Sequence, residues 1–299
     1  MIGIDFSEMD ASLLRYASFL AKIIQPENIC LIHVQENSDI PEALREAFPE
    51  APVPKEESLK DQIRGLLNAN FTYTGATIDY QIVLGAPAKE FLHCSSIKET
   101  DLILVGHKPF AQGSGIFGAQ LARKALCSVL FVPQNPDLRL RHLWVANDFS
   151  AHSRMAAEEA LSLATQERPA AVSLHHVYSI PMGYYKAGKT ERQFAQIMLE
   201  HAEKKHHQFL EEIDGNTDLI SPFFSYDHDR FTPAEQILTY SSEADSDMIL
   251  IGAKGRNALT SLFLGSVAEK VLARNKKLPL FLVKRKDASL DLRTWLRSI

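Results

Sequence analysis

The chain has 299 residues, 45% hydrophobic and 23% charged, with a formal net charge of −5. That balance is ordinary for globular protein, the length favours two domains, and the acidic excess removes the electrostatic reason to expect nucleic acid or an anionic membrane surface as partner. Cys30, Cys94 and Cys127 lie far apart with no Cys-x-x-Cys pair, which argues against a disulfide framework and a cysteine zinc site and fits a reducing cytoplasm. The sequence also shows no apolar run long enough to span a bilayer and no basic-then-hydrophobic leader, so neither a membrane-spanning nor a secreted protein is expected.

In chain order, an opening strand is expected over Met1–Ile4. Residues 35–57 carry prolines at 41, 49, 52 and 54 and many acids, and read as a surface excursion with one helical turn around Glu42–Ala47. The first copy continues with alternating strands and helices to the apolar strand Ser128–Val132, and the junction falls at Pro133-Gln-Asn-Pro136-Asp137. In the second copy, His142–Ala146 is an apolar strand. A helix then starts with Ser150 or Ser153 as cap, shows Met155, Ala160, Leu163 and Ala164 on its apolar face, and is closed by Pro169. Strand Ala171–Val177, a polar helix over Glu191–Glu212 and strand Ser221–Tyr226 follow, and then helix Pro233–Ala244, strand Met248–Ile251, helix Ser266–Arg274 and strand Leu280–Val283. Beyond them, Leu292, Trp295, Leu296 and Ile299 have the spacing of a short amphipathic helix.

The chain repeats itself. Asp5-Phe-Ser7 matches Asp148-Phe-Ser150 and His33-Val34 matches His176-Val177 at an offset of 143 residues; Pro87, Asp101 and Gly106 match Pro233, Asp247 and Gly252 at 146. The expected fold class is therefore α/β, as two tandem open, mainly parallel five-stranded sheets with helices on both faces. The expected domains are residues 1–136 and 137–286 with a tail over 287–299. The apolar last strands of the two copies are candidates for edge pairing, either with each other or between chains as a homodimer.

After the apolar run ending at Ile251 comes Gly252-Ala-Lys-Gly255, nine further residues, then Gly265-Ser266 at a helix start. Glycine allows close backbone approach, and the helix N-terminus offers unpaired N–H groups and a positive dipole end, so the segment reads as an anion cradle. The first copy departs from this spacing. Pro109 stands where the second glycine would be, Ala119 replaces the serine, and the following helix is expected to be shorter; Gly113-Ser114-Gly115 reads as a plain flexible turn.

Together, the Asp-x-Ser end of the first strand, the His-Val end of the second, the Gly-x-Pro helix entry and the Gly-x2-Gly-x9-Gly-Ser loop resemble the universal stress protein family, as two tandem copies covering nearly the whole chain. The resemblance implies a sheet related to that of other adenine-nucleotide binders (adenine-nucleotide α-hydrolase-like) and ATP as ligand, with Mg carried alongside it. By the same resemblance, Asp148 faces the ribose with Ala146 and Asn147 on the same edge, and Val177 offers its backbone to the adenine. Gly252 and Gly255 let the loop approach sugar and phosphates, Gly265, Ser266 and Val267 donate to phosphate oxygens, and Arg256, with Lys254 as a second cation, adds charge. Each assignment has a plainer counterpart: Asp148 could cap the next helix, Ser266 could be a simple N-cap, and Arg256 could be a solvent-facing cation.

No Walker A loop, Gly-x-Ser-x-Gly elbow or His-Glu-x-x-His helix occurs, and no catalytic or metal-ligating residue is assigned. His175-His176 fall on alternating faces of a strand, and His201, His206 and His207 on a polar helix, so locally bonded histidines are expected rather than a metal site. The expectation is a cytoplasmic stress-response protein that binds an adenine nucleotide in its second copy for a regulatory or signalling purpose, with hydrolysis at most slow. The alternative is an interaction scaffold without nucleotide.

Overall fold

A computed structural model describes residues 1–35, 56–108, 115–167, 170–180, 188, 190–227, 231–255 and 264–285. The excursion over 36–55, Pro109, Gly113, Ser114, Pro169, Arg256 and the tail over 287–299 lie outside the described residues.

The first half runs β1 (Ile2–Gly3), α1 (Met9–Ile24), β2 (Asn28–Gln35), α2 (Glu56–Asn70), β3 (Thr77–Leu84), α3 (Pro87–Ile97), β4 (Leu102–Gly106), α4 (Gly115–Lys124) and β5 (Ser128–Val132). The second runs β6 (His142–Ala146), α5 (Ala151–Glu167), β7 (Ala171–Tyr178), α6 (Glu191–Leu210), β8 (Ile220–Tyr226), α7 (Pro233–Glu243), β9 (Met248–Gly252), α8 (Ser266–Arg274) and β10 (Leu280–Val283). Helix starts follow local chemistry. Thr190 and Thr232 close reciprocal capping boxes with Gln193 and Glu235, and Pro87 and Pro233 supply the preset φ of a first helical turn. Of the two serines expected to cap α5, Ser150 does so. Its Oγ accepts from Ser153 N at 3.2 Å, and the Ser153 Oγ accepts in return from Ser150 N at 3.0 Å.

The strands form one sheet in the order β3-β2-β1-β4-β5-β10-β9-β6-β7-β8. Within each half every pairing is parallel, as right-handed crossovers require, whereas β5 and β10 are antiparallel, with Leu280 opposite Phe131 and Leu282 opposite Val129. The two five-stranded halves are thus fused edge to edge into ten strands. The last strands do pair with each other, as one of the two expectations had it. The other, a homodimer built on them, is corrected: β5 is flanked by β4 and β10, and β10 by β5 and β9, so neither offers an edge to another chain.

Both faces of the sheet are apolar because both are covered. One core gathers Leu13, Leu143, Val145, Ala160 and Leu163 beneath α1 and α5; the other gathers Trp144, Ile249, Ile251, Val271 and Leu282 beneath α7 and α8. At the seam, the Ser128 hydroxyl bridges the N–H and carbonyl of Lys284, whose Nζ donates to Ala125 O at 2.7 Å. Burial pushes that amine down to about 7. Among the described residues no helix is long and apolar enough to cross a membrane.

The expectation of a shortened helix before β5 is also corrected. α4 starts at Gly115 and has 10 residues, against 9 in α8, so Gly118-Ala119 lies inside the helix rather than at its entry. Among the described residues, Gly118-Ala119 therefore does not form a helix start as Gly265-Ser266 does.

Candidate functional site

Each half ends its first strand in the same way. Phe6 and Phe149 both take a left-handed conformation with φ of 59°, which turns the chain sharply from strand to helix. Their rings lie against His33 and His176, with centroids 4.6 and 4.3 Å apart. The same histidines bond the strand ends, His33 Nδ1 to Ile4 O at 2.9 Å and His176 Nδ1 to Asn147 O at 2.9 Å. A carbonyl only accepts, so each Nδ1 carries the proton. The His-Val motif therefore holds the Asp-Phe-Ser turn in place.

In the second half this turn borders a cavity of about 610 Å³ at the carboxyl ends of β6, β7 and β9. β6 is flanked by β7 on one side and β9 on the other, so the cavity sits at the switch point where open parallel sheets present their ligand crevice. Its lining includes Ala146, Asn147, Asp148, Val177, Gly252, Gly255, Gly265, Ser266 and Val267, so the structure brings together every site residue named from the sequence that it describes. Arg256, the tenth, lies outside the described residues. Lys254 lines the cavity as well.

The glycines are there for space. A Cβ on Gly252 would stand 2.7 Å from the carbonyl carbon and oxygen of His152, and one on Gly255 would stand 2.8 Å from Asp148 Oδ2. Gly265 N–H donates to Ala253 O at 2.8 Å, which ties the start of α8 to the chain leaving β9. Gly265 is also the N-cap of α8 and has no side chain to cap it. The first-turn N–H groups of Ser266, Val267 and Ala268 are beyond the reach of any intrahelical carbonyl, and all three residues line the cavity. Asp148 is not the cap of α5. Its Oδ1 accepts from Ser150 N at 3.1 Å in a tight turn, while Ser150 itself caps the helix.

Sequence reasoning missed the floor of the cavity. His175, Ser153, Pro233 and Ile237 also line it. His175 Nδ1 receives the indole N–H of Trp144 at 3.2 Å, so its proton sits on Nε2, which donates to Ser225 Oγ at 2.7 Å. Burial pushes the imidazole down to about 3, with His176 adding to the shift. The signal was the repeat itself: Ile32 occupies the matching position in the first copy, so the second spends a buried polar line where the first spends a hydrocarbon.

His175 has a measurable pH signature. It is neutral in the folded chain down to about 3 but titrates near 6.5 when unfolded, so between these values the unfolded state binds the extra proton. The stability it contributes is present above about pH 6.5 and declines as pH falls, by up to ~1.4 kcal/mol per pH unit. Asp10 acts oppositely. Burial, and then the charge of Asp5, raise it to about 6, so its contribution is present at low pH and lost as pH rises through that value. Urea unfolding of wild type and His175→Gln from pH 7 to 4 is expected to show a shallower decline for the variant; parallel curves would rule the assignment out.

In the first half the matching aspartate is already engaged. Lys108, on the loop after β4, forms an ion pair with Asp5. Burial alone would raise Asp5, but hydrogen bonds from Lys108 and Ser7 outweigh it and hold the carboxyl below its usual range.

A fused, mainly parallel open sheet with a cavity at a strand switch point, walled by a glycine loop and an uncapped helix start, defines a doubly wound α/β protein with its cavity at the edge where such sheets present a crevice. Residues 139–284, most of the second half, match the universal stress protein family. Over 74 residues the chain is 31% identical to "Stress response protein NhaX" of Bacillus subtilis (strain 168), a match covering 25% of this chain and 39% of that protein. Among solved structures it is similar to a universal stress protein from Archaeoglobus fulgidus DSM 4304 (20% identity, 96% of each chain, TM-score 0.63). It is similar also to a functionally unknown protein from Pseudomonas aeruginosa PAO1 (14% identity, 99% of this chain and 95% of that one, TM-score 0.65). At these identities the structural likenesses speak for the fold, and they extend over both halves.

Proposed function

We propose that the second half binds an adenine nucleotide, with ATP the leading candidate, as a regulatory or signalling ligand in a stress response. The observation that carries the reading is the convergence on one cavity of the Asp148 turn, the Val177 strand end, the Gly252–Gly255 loop and the uncapped start of α8. Backbone N–H groups at a helix N-terminus suit phosphate, and a carboxylate beside them suits ribose hydroxyls. Gly255 leaves room for the Asp148 carboxylate that any side chain would displace. Lys254 supplies a cation at the same edge. In this reading Mg travels with the phosphates, no residue is given a catalytic role, and hydrolysis is at most slow. The domain division at residue 136 belongs to the same proposal, as does a cytoplasmic site of action.

Calorimetric titration with ATP, together with mass spectrometry of small molecules released from the native protein, tests the reading. Saturable ATP binding that Gly255→Pro abolishes is the expected result. Protein that carries no nucleotide and gives no heat with ATP rejects it. The competing reading, an interaction scaffold without nucleotide, is favoured by the first half alone, where Lys108 occupies Asp5.

A further inference from the structure

The two copies of the Asp-Phe-Ser turn share a backbone but not the side chains that hold it. Ile4 N donates to Ile32 O at 2.9 Å, as Asn147 N donates to His175 O at 2.8 Å. The left-handed phenylalanine and the histidine bond to the strand end are common to both. Within that shared frame two buried side chains differ together at the offset of 143 residues: Ile4 and Asp10 of the first copy stand as Asn147 and Ser153 in the second.

In the first copy the turn's acceptor comes from the helix. The Asp10 carboxylate accepts from Phe6 N at 2.7 Å and from Asp5 N at 3.4 Å, and Ile4 adds only hydrocarbon. In the second copy the acceptor comes from the strand end. Asn147 Oδ1 accepts from Phe149 N at 2.8 Å and from the Ser153 hydroxyl at 2.9 Å, while Ser153 Oγ accepts from Ser150 N at 3.0 Å. One turn is therefore closed by a buried carboxylate and the other by two neutral groups.

The exchange alters what the strand end can receive. In the first copy Asp5 and Asp10 stand close enough that, after burial, the charge of Asp5 is what raises Asp10 most, and Lys108 pairs with Asp5. Asp148 has a serine where that second carboxylate would be. The Phe149 N–H also fixes the Asn147 amide, because a donor must face the oxygen, so the outer atom is the nitrogen. Nδ2 is buried and has no hydrogen-bond partner among the described residues. An unmade buried donor costs about 1–3 kcal/mol, and Ile4 shows that the turn forms without it. Asn147 and Ser153 both line the 610 Å³ cavity.

We propose that the Asn147–Ser153 pair is what fits the second copy to an anionic ligand: it closes the turn without a buried charge and offers Asn147 Nδ2 to an acceptor atom of the ligand. Asn147 is then a binding residue, and Ser153 a positioning residue that holds its amide. The inference rests on the nucleotide reading above and names the residues that set the cavity's tolerance of negative charge. Isoleucine and aspartate at these two places would build the same turn but set a carboxylate behind Asp148, where it repels a phosphate chain.

The test compares two double variants of the full chain by calorimetry with ATP, after thermal unfolding has shown that they fold. Asn147→Ile with Ser153→Asp reproduces the first copy, and Asn147→Ile with Ser153→Asn differs from it only in charge. The neutral pair is expected to weaken ATP by about tenfold, through the lost donor, and the charged pair by about a further tenfold or more. A role confined to the fold would move both alike, so equal ATP affinity in the two variants overturns the proposal and leaves the nucleotide reading standing. Ser153→Asp against Ser153→Asn, each alone, gives the same comparison if a double variant does not fold. Inorganic triphosphate is titrated in parallel. If the wild type binds it but not ATP, and the charged pair loses it, the nucleotide reading alone falls; a wild type that binds neither overturns both.

Discussion

Asp247→Ala is expected to lower the unfolding free energy by on the order of 3 kcal/mol, read as a fall in the urea midpoint at unchanged m-value. The side chain is only 1% exposed and organises the whole entry to β6: one oxygen accepts from two backbone N–H groups and the other pairs with Arg139. Without it, both N–H groups lose their acceptor and the guanidinium loses its buried partner. The figure stays at the lower end of the range for broken buried pairs because Arg139 is 28% exposed and water partly screens it. A loss below about 0.5 kcal/mol, the size of an ordinary surface change, would show that the cluster does not hold the second half in register.

Gly252→Ala and Gly255→Ala are expected to fail in different ways. At Gly252 the new methyl would meet the His152 backbone at 2.7 Å. Backbone cannot turn aside as a side chain can, so α5 must shift against β9, and overpacking of this kind costs about 1–3 kcal/mol. At Gly255 the obstacle is the Asp148 carboxylate, the free end of a side chain, at 2.8 Å. Folding stability should change by less than about 1 kcal/mol while ATP affinity falls by about tenfold or more, because the carboxylate is pushed from its place beside the loop. Thermal unfolding and calorimetry of the two variants separate the effects. Full ATP affinity in Gly255→Ala would remove Asp148 from the proposed site.

Much of this was legible in the residues. Strand His142–Ala146 and helix Ser266–Arg274 occur with the bounds their apolar patterns predict, and Ala171–Tyr178 extends its predicted strand by one residue. The elements of the second half carry strong local signals: a Thr-Pro entry with an acid three residues after the threonine, continuous apolar strands and a glycine just before the last helix. Three features were not legible. The choice of Ser150 over Ser153 as cap depends on which serine stands before the first helical turn. The start of α4 at Gly115 was hidden because glycine reads as a turn. The polar line Trp144–His175–Ser225 joins three strands, and no spacing in the chain announces it.

The sequence by itself determined the layered α/β class, the duplication and nine of the residues that border the larger cavity, because period, turn chemistry and repetition are local properties of a chain. Only the tertiary structure decided how the copies join. An apolar edge strand is equally suited to a sister copy or another molecule, and it was the antiparallel meeting of Leu280 with Phe131 that resolved the choice. Only the tertiary structure, too, separated the two copies of the Asp-Phe-Ser turn. In one the aspartate is bound by Lys108, and in the other it stands against Gly255 at the mouth of a cavity. Those partners are more than a hundred residues away from the motif, and a contact at that distance is created by packing alone.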